Sequence, residues 1–161
     1  MSLLDKLKNL PTLNEIKGGF GEQLTKFTSL AALPEVMVIH DVLIDGAENQ
    51  TSQIDILLIG IKGIYVVEVK TFLEARVYGD CKKSKWYYYK GGHKYDIYSP
   101  YLQNKNHIKY LKEFLKDFGD VPCFSVLAIL CEGGKISNLN EDESNPTAMV
   151  ISGLIELRKA V

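Results

Sequence analysis

The spacing of apolar positions along the chain divides it into helices and strands. Phe20, Leu24, Phe27 and Leu30 recur at helical intervals after the loop signal Lys17-Gly18-Gly19-Phe20-Gly21, which predicts a helix over about 20–33, ended by Pro34. Apolar runs of strand length follow at 36–43, 54–59 and 64–69. The polar segment 45–52 separates the first two, and the tight turn Gly60-Ile61-Lys62-Gly63 separates the next pair. Both faces of the second and third runs are apolar, as in central strands covered on two sides. Residues 75–98 read as a hairpin excursion, with aromatic-rich 86–90, the Gly91-Gly92 turn and a return over 94–98. A second helix is predicted over about 101–118, with Ile108, Leu111, Leu115 and Phe118 on its inner face. The continuous apolar run 124–130 is a buried strand, parallel to an earlier one because a helix intervenes. A short strand at 148–151 follows an acidic loop at 140–145. The order helix, three strands, hairpin, helix, strand, strand predicts an α/β sandwich with a mixed sheet. Residues 1–17 read as an extension, its first part a loosely attached helix. Residues 153–161 begin a helix and stop, which suggests a piece of a longer protein.

Bulk properties narrow the setting more than the function. At 161 residues, 46% hydrophobic and 24% charged, the chain fits one globular domain with a real core. Charged and glycine positions interrupt every apolar run before it reaches membrane-spanning length, and 1–10 lacks the apolar core of a signal peptide. The expectation is a cytoplasmic protein with no membrane partner. Cys81, Cys123 and Cys131 form no CxxC pair and no zinc spacing, so reduced, mostly buried thiols are expected. A formal net charge of −1 argues neither for nor against nucleic acid, so any electrostatic footprint must be local.

The candidate chemistry lies on the central strands. Glu68 and Lys70 are two apart and share a strand face, and Asp55 lies on the neighbouring strand across a short turn. Charges among Val, Ile and Leu require partners. Two readings stay open on these residues alone. One is a buried salt bridge of Lys70 with Glu68 or Asp55. The other is a divalent-cation site in which carboxylates hold the ion and the lysine works beside it. Glu22, near the start of the first predicted helix, is read on position alone as an acid favoured by the helix dipole.

Four ordered segments add a resemblance. Gly19-Phe20-Gly21-Glu22, Gln53-Ile54-Asp55, Gly63-Ile64-Tyr65-Val66-Val67-Glu68-Val69-Lys70 and Ser99-Pro100-Tyr101-Leu102-Gln103 resemble the nuclease-related domain family. That family belongs to the PD-(D/E)xK nuclease superfamily, with restriction endonucleases and Holliday-junction resolvases. The resemblance covers roughly 18–130. It implies a restriction-endonuclease-like three-layer sandwich over 18–152, a central mixed β-sheet flanked by helices. It also implies a Mg²⁺- or Mn²⁺-dependent deoxyribonuclease acting in DNA processing or repair. Asp55, Glu68 and the main-chain carbonyl of Val69 would bind the metal, Glu22 would support it through water, Lys70 would be the catalytic lysine and Gln103 would reach into the site. Ser99-Pro100 stands where the family often has Asn-Pro, outside that set. Related nucleases often pair, so a homodimer is one expected state. The rival reading is a non-catalytic nucleic-acid-binding or partner-docking domain that retains the fold.

Around this set, Lys82, Lys83, Lys85, Trp86 and Lys90 mix cations with an aromatic, and are candidates for gripping phosphates and stacking on bases. The alternative is one exposed hairpin strand with Trp86 in the core. Lys105, Lys109, Lys112 and Lys116 read as a solvated helix face. His40, His93 and His107 share no metal-ligand spacing, but His107 lies four residues after Gln103 and so faces the same way. Gly18, Gly19 and Gly21 lack the Lys-Ser/Thr of a phosphate-binding loop.

Overall fold

A computed structural model describes residues 2–8, 36–45, 51–139 and 147–151. Its elements in chain order are α1 (Leu3–Lys8), β1 (Met37–Asp45), β2 (Thr51–Gly60), β3 (Gly63–Asp80), β4 (Lys85–Lys90), β5 (His93–Tyr98), α2 (Pro100–Phe114), β6 (Cys123–Ser137) and β7 (Thr147–Ile151). The strands form one mixed sheet, with β1–β2–β3 and β3–β4–β5 antiparallel, and β3–β6 and β6–β7 parallel. The expected α/β class and mixed sheet are therefore observed, including the parallel strand after the second helix. The predicted helix over 20–33, the acidic loop and the C-terminal tail lie outside the described residues.

Strand β3 organises the sheet. One of its edges pairs with β6 from Ile64 to Asp80. The other is shared, with β2 taking Gly63 to Val67 and β4 taking Ala75 to Tyr78. The sequence predicts one strand ending at Val69 and a separate hairpin excursion from Ala75. Instead a bulge between Phe72 and Arg76, with Glu74 at φ 60°, carries β3 on into the hairpin. Likewise β6 runs past Gly133 and Gly134, which read as a break but pair with Arg76 and Val77.

One glycine at the β2–β3 turn is set by geometry. Gly63 has φ 140°, and a Cβ there would strike the Pro122 carbonyl oxygen that accepts from Ile64 N–H. Helix α2 starts where Ser99 Oγ accepts from Leu102 N–H at 3.3 Å, with Pro100 in its first turn. It ends at Phe114, and a 3₁₀ turn, Lys116–Phe118, finishes the run predicted as one helix.

Helix α2 lays Ile108 and Leu111 on Ile54, Leu57, Ile64 and Val66 of the sheet, and Leu7 of α1 joins the same cluster fully buried. The described part of the opening stretch is thus an integral helix rather than the loose one expected. The opposite face buries Ile56, Leu58, Val67, Val69, Val126 and Ala128. A third cluster under the hairpin gathers Val77, Trp86, Tyr101, Leu127 and Ile129.

Trp86 is 1% exposed, and its indole N–H donates to Asp80 O at 3.0 Å. This corrects its candidacy as a base-stacking residue: it packs flat against Gly79, where a Cβ would overlap the indole. Gly79→Ala is expected to displace Trp86 and lower stability by about 1–3 kcal/mol, the usual cost of overpacking. Urea unfolding followed by tryptophan fluorescence checks this, and a midpoint equal to wild type would contradict it.

Candidate active site

Between the end of β2 pairing at Val67 and the start of β4 pairing at Ala75, the edge of β3 has no strand beside it. The gap opens because β2 changes course at Asp55. Ile54 packs in the cluster under α2, whereas Ile56, two residues on, packs on the opposite face. A regular strand would put both on one face. The neighbouring strand breaks at the same level, where Asp41 takes φ 54° and neither Asp41 nor Asp55 joins a ladder. Freed from the ladder, the Asp55 side chain turns to the edge of β3, where Oδ2 accepts from Val69 N–H at 2.8 Å. A strand residue's N–H and C=O point to the same edge, so the Val69 carbonyl also faces the gap.

Glu68 and Lys70 project from β3 towards α2, on the face of Ile64 and Val66. Glu68 is 1% exposed and would be prohibitive to bury without partners. Lys70 Nζ lies 2.6 Å from Oε1, and His107 Nε2 lies 3.1 Å from Oε2. His107 in turn holds Ser52 Oγ through Nδ1 at 2.6 Å, so a Ser52–His107–Glu68 chain fixes the carboxylate from behind. Asn104, one turn earlier on α2, donates from Nδ2 to Val66 O, Ser125 Oγ and Val126 O, which locks the helix to β3 and β6.

The electrostatics favour a cation in the gap. Burial, and then the neighbouring Glu68 charge, push the Asp55 carboxyl up to about 6. The Val69 N–H and the more distant Lys70 and His107 offset this only in part. Glu68 Oε1 meets the Lys70 ammonium off the hydrogen-bonding direction, so this buried oxygen has a charge partner and no hydrogen bond. Two neighbouring carboxylates and a main-chain carbonyl are oxygen donors suited to a hard divalent ion. Among the described residues no group of three or more His, Cys, Asp and Glu side chains stands in metal-holding geometry, so any further ligand must come from main chain, water or elsewhere.

The structure thus brings together Asp55, Glu68, Val69 and Lys70. Glu22 lies outside the described residues. Gln103 is half-buried in the first turn of α2, with its main-chain N–H on Ser99 O, and no hydrogen bond joins its side chain to Asp55, Glu68 or Lys70. His107 does approach, as its position after Gln103 suggested. Ser52 and Asn104 were not singled out in sequence, since a serine opening a strand and an asparagine inside a helix carry no distinguishing signal. The hairpin lysines Lys82, Lys83, Lys85 and Lys90 are exposed and take no part in the contacts among Asp55, Glu68 and Lys70; Lys90, paired with Ala75 at the end of the gap, lies 3.9 Å from Glu74. Cys81 and Cys123 are buried with their thiols pushed up to about 11 by desolvation, as inert core cysteines are.

The raised Asp55 pKa has a sign that can be tested. Unfolded, this carboxyl ionises near 3.8; folded, near 6. The native state therefore binds the extra proton between these values, and stability falls as pH rises through them. Asp55→Asn keeps an oxygen for Val69 N–H and removes the titration. In chelator, the variant's stability advantage over wild type should grow from near zero at about pH 4 to at most about 3 kcal/mol at about pH 7. Urea unfolding at the two pH values measures it, and an advantage that does not change with pH contradicts the assignment.

Comparison with known proteins identifies the family. The family model described as nuclease-related domain matches residues 17–130, a span containing Asp55, Glu68, Lys70 and His107. An uncharacterized protein of Bacillus anthracis is 32% identical over 113 residues, which cover 70% of this chain and 52% of that protein. The chain thus matches about half the length of this curated relative. No solved structure matches. With the family model covering most of its length and the site strands inside the match, the chain belongs to the nuclease-related domain family.

Proposed function

We propose that the protein is a metal-dependent nuclease that hydrolyses DNA phosphodiester bonds, working in DNA processing or repair. The observation that supports it best is the pair Asp55 and Glu68 at the gap in β3, with Lys70 Nζ 2.6 Å from Glu68. Asp55, Glu68 and the Val69 carbonyl would hold Mg²⁺ or Mn²⁺, with Glu22 supporting it through water. When bound, the ion supplies charge neutralisation at the scissile phosphate and an acidified water. The chain's own residues do the remaining work. Asp55 keeps its carboxylate at the gap by accepting from Val69 N–H. His107 holds Glu68 Oε2 and leaves Oε1 to face Lys70. The Lys70 ammonium orients the attacking water and stabilises the negative charge that gathers on the phosphate. Gln103, in the first turn of α2, would reach into the site.

Several wider features belong to the same reading. The restriction-endonuclease-like three-layer sandwich over 18–152 that the family resemblance implies is part of it. The protein acts in the cytoplasm, away from membranes, as a homodimer. A second reading, a non-catalytic nucleic-acid-binding or partner-docking domain, draws on the absence of a three-residue metal cluster among the described residues.

A cleavage assay separates the two. Supercoiled plasmid and labelled branched and single-stranded DNA are incubated with Mg²⁺ or Mn²⁺. Wild type should cut, while Lys70→Ala and Asp55→Asn should lose at least about 100-fold in rate, the scale of one lost electrostatic stabiliser. Asp55→Asn matters here because it is expected to be the more stable protein, so its loss of activity is not a folding defect. Wild type that binds DNA without cutting any substrate favours the docking domain.

A further inference from the structure

Beyond the bulge in β3 the sheet carries a second surface, on the face turned away from α2. Val77 and Trp86 point into the core with Tyr101 of α2. Their strand neighbours Arg76, Tyr78, Tyr87 and Tyr89 therefore point the other way, and the register sets Tyr78 beside Tyr87 and Arg76 beside Tyr89. The rings of Tyr78 and Tyr87 stack with centroids 5.4 Å apart and an interplanar angle of 14°. Tyr89 stands edge-on to both, at 6.0 and 5.8 Å, and is 44% exposed. Lys94 on β5 places its ammonium 4.3 Å above the Tyr87 ring.

Beside the stacked pair is a cleft of about 340 Å³, lined by Tyr78, Tyr87, Lys83, Lys85 and Lys135 with Asp80 at its end. This lies at the small end of ligand pockets, roughly 300–1,000 Å³, and suits one nucleotide rather than a duplex. Asp80 is already engaged. Its Oδ1 accepts from Asn138 Nδ2 at 2.8 Å and from Lys82 N–H at 3.0 Å, and these bonds hold its carboxyl below the usual range. The lysines leave the cleft net positive on a chain whose overall formal charge is −1. An aromatic cluster with one cation over a ring and others along the adjoining cleft suits an unpaired strand: bases stack on the ring faces left open, such as that of the exposed Tyr89, and phosphates meet ammonium groups. An acidic peptide would use the lysines but would leave the ring stack without a planar partner.

We propose that the Tyr78–Tyr87–Tyr89 face with Lys85, Lys94 and Lys135 is a binding platform for single-stranded DNA, separate from the Asp55–Glu68 site and on the other face of β3. It rests on DNA as the ligand of the proposed nuclease but requires neither metal nor cleavage. The test is fluorescence anisotropy with a labelled oligothymidylate in EDTA, on folded proteins of matched melting temperature. Wild type should bind, Tyr87→Phe should match it, and Tyr87→Ala should bind roughly tenfold more weakly. Lys135→Gln should weaken binding and reduce the slope of log affinity against log salt by about 0.7, the value for one phosphate contact to a single strand. Equal affinity of wild type and Tyr87→Ala would overturn the proposal, as would competition by polyglutamate as effective as by unlabelled oligothymidylate. A wild type that cuts DNA while these variants bind normally would sink the platform alone. A wild type that binds as expected but never cuts would sink only the nuclease.

Discussion

One hydrogen bond marks where the sheet stops being a scaffold and becomes a site. Val69 N–H would ordinarily belong to a ladder with β2, but it donates to Asp55 Oδ2 at 2.8 Å instead. That exchange follows from a constraint on β3. Its second edge is divided between β2 and β4, and neither reaches residues 68 to 74. A strand edge left open inside a sheet needs hydrogen-bond partners. Here a carboxylate takes the amide, and the carbonyl of the same residue faces the same opening. Backbone geometry and acidic side chain are therefore placed together by one break in pairing.

The rest of the site keeps that arrangement affordable in charge. Glu68 is almost wholly buried, and its carboxylate is held between Lys70 and His107 while Ser52 fixes the far side of the imidazole. Removing Lys70 or His107 would leave a buried carboxylate short of a partner, which is more damaging than the net worth of either contact suggests. Asn104 supports the same geometry from a distance, since its bonds to Val66 and Val126 carbonyls hold α2 at the height that presents His107. Asp55 is compensated only in part, and its raised pKa is the electrostatic sign of a place where positive charge is wanted.

Much of this was legible in the residues. Strands β1, β2 and the first half of β3 announce themselves as β-branched and apolar runs, and the spacing of Ile108 and Leu111 gives α2. Glu68 and Lys70 were placed on one face by strand period alone, and Asp55 beside them by a short turn. What could not be read was the pairing. The apolar run ends at Val69, yet a bulge carries β3 on through Thr71 to Glu74, because β6 stays paired on the other side. The change of face at Asp55 leaves no trace in composition. Trp86 sits in a lysine- and tyrosine-rich run that suggests a binding surface, and only the alternation across β4 shows that the tryptophan points inward while Tyr87 and Tyr89 point outward. Glu22 was placed at the site by family resemblance alone, and lies outside the described residues.

Calorimetric titration of Mn²⁺ tests the central claim most directly, comparing wild type with Asp55→Asn at neutral pH. The account predicts a single saturable site in wild type that disappears in Asp55→Asn while that variant stays folded. Mn²⁺ binding of equal strength in both proteins, or none in either, would contradict it.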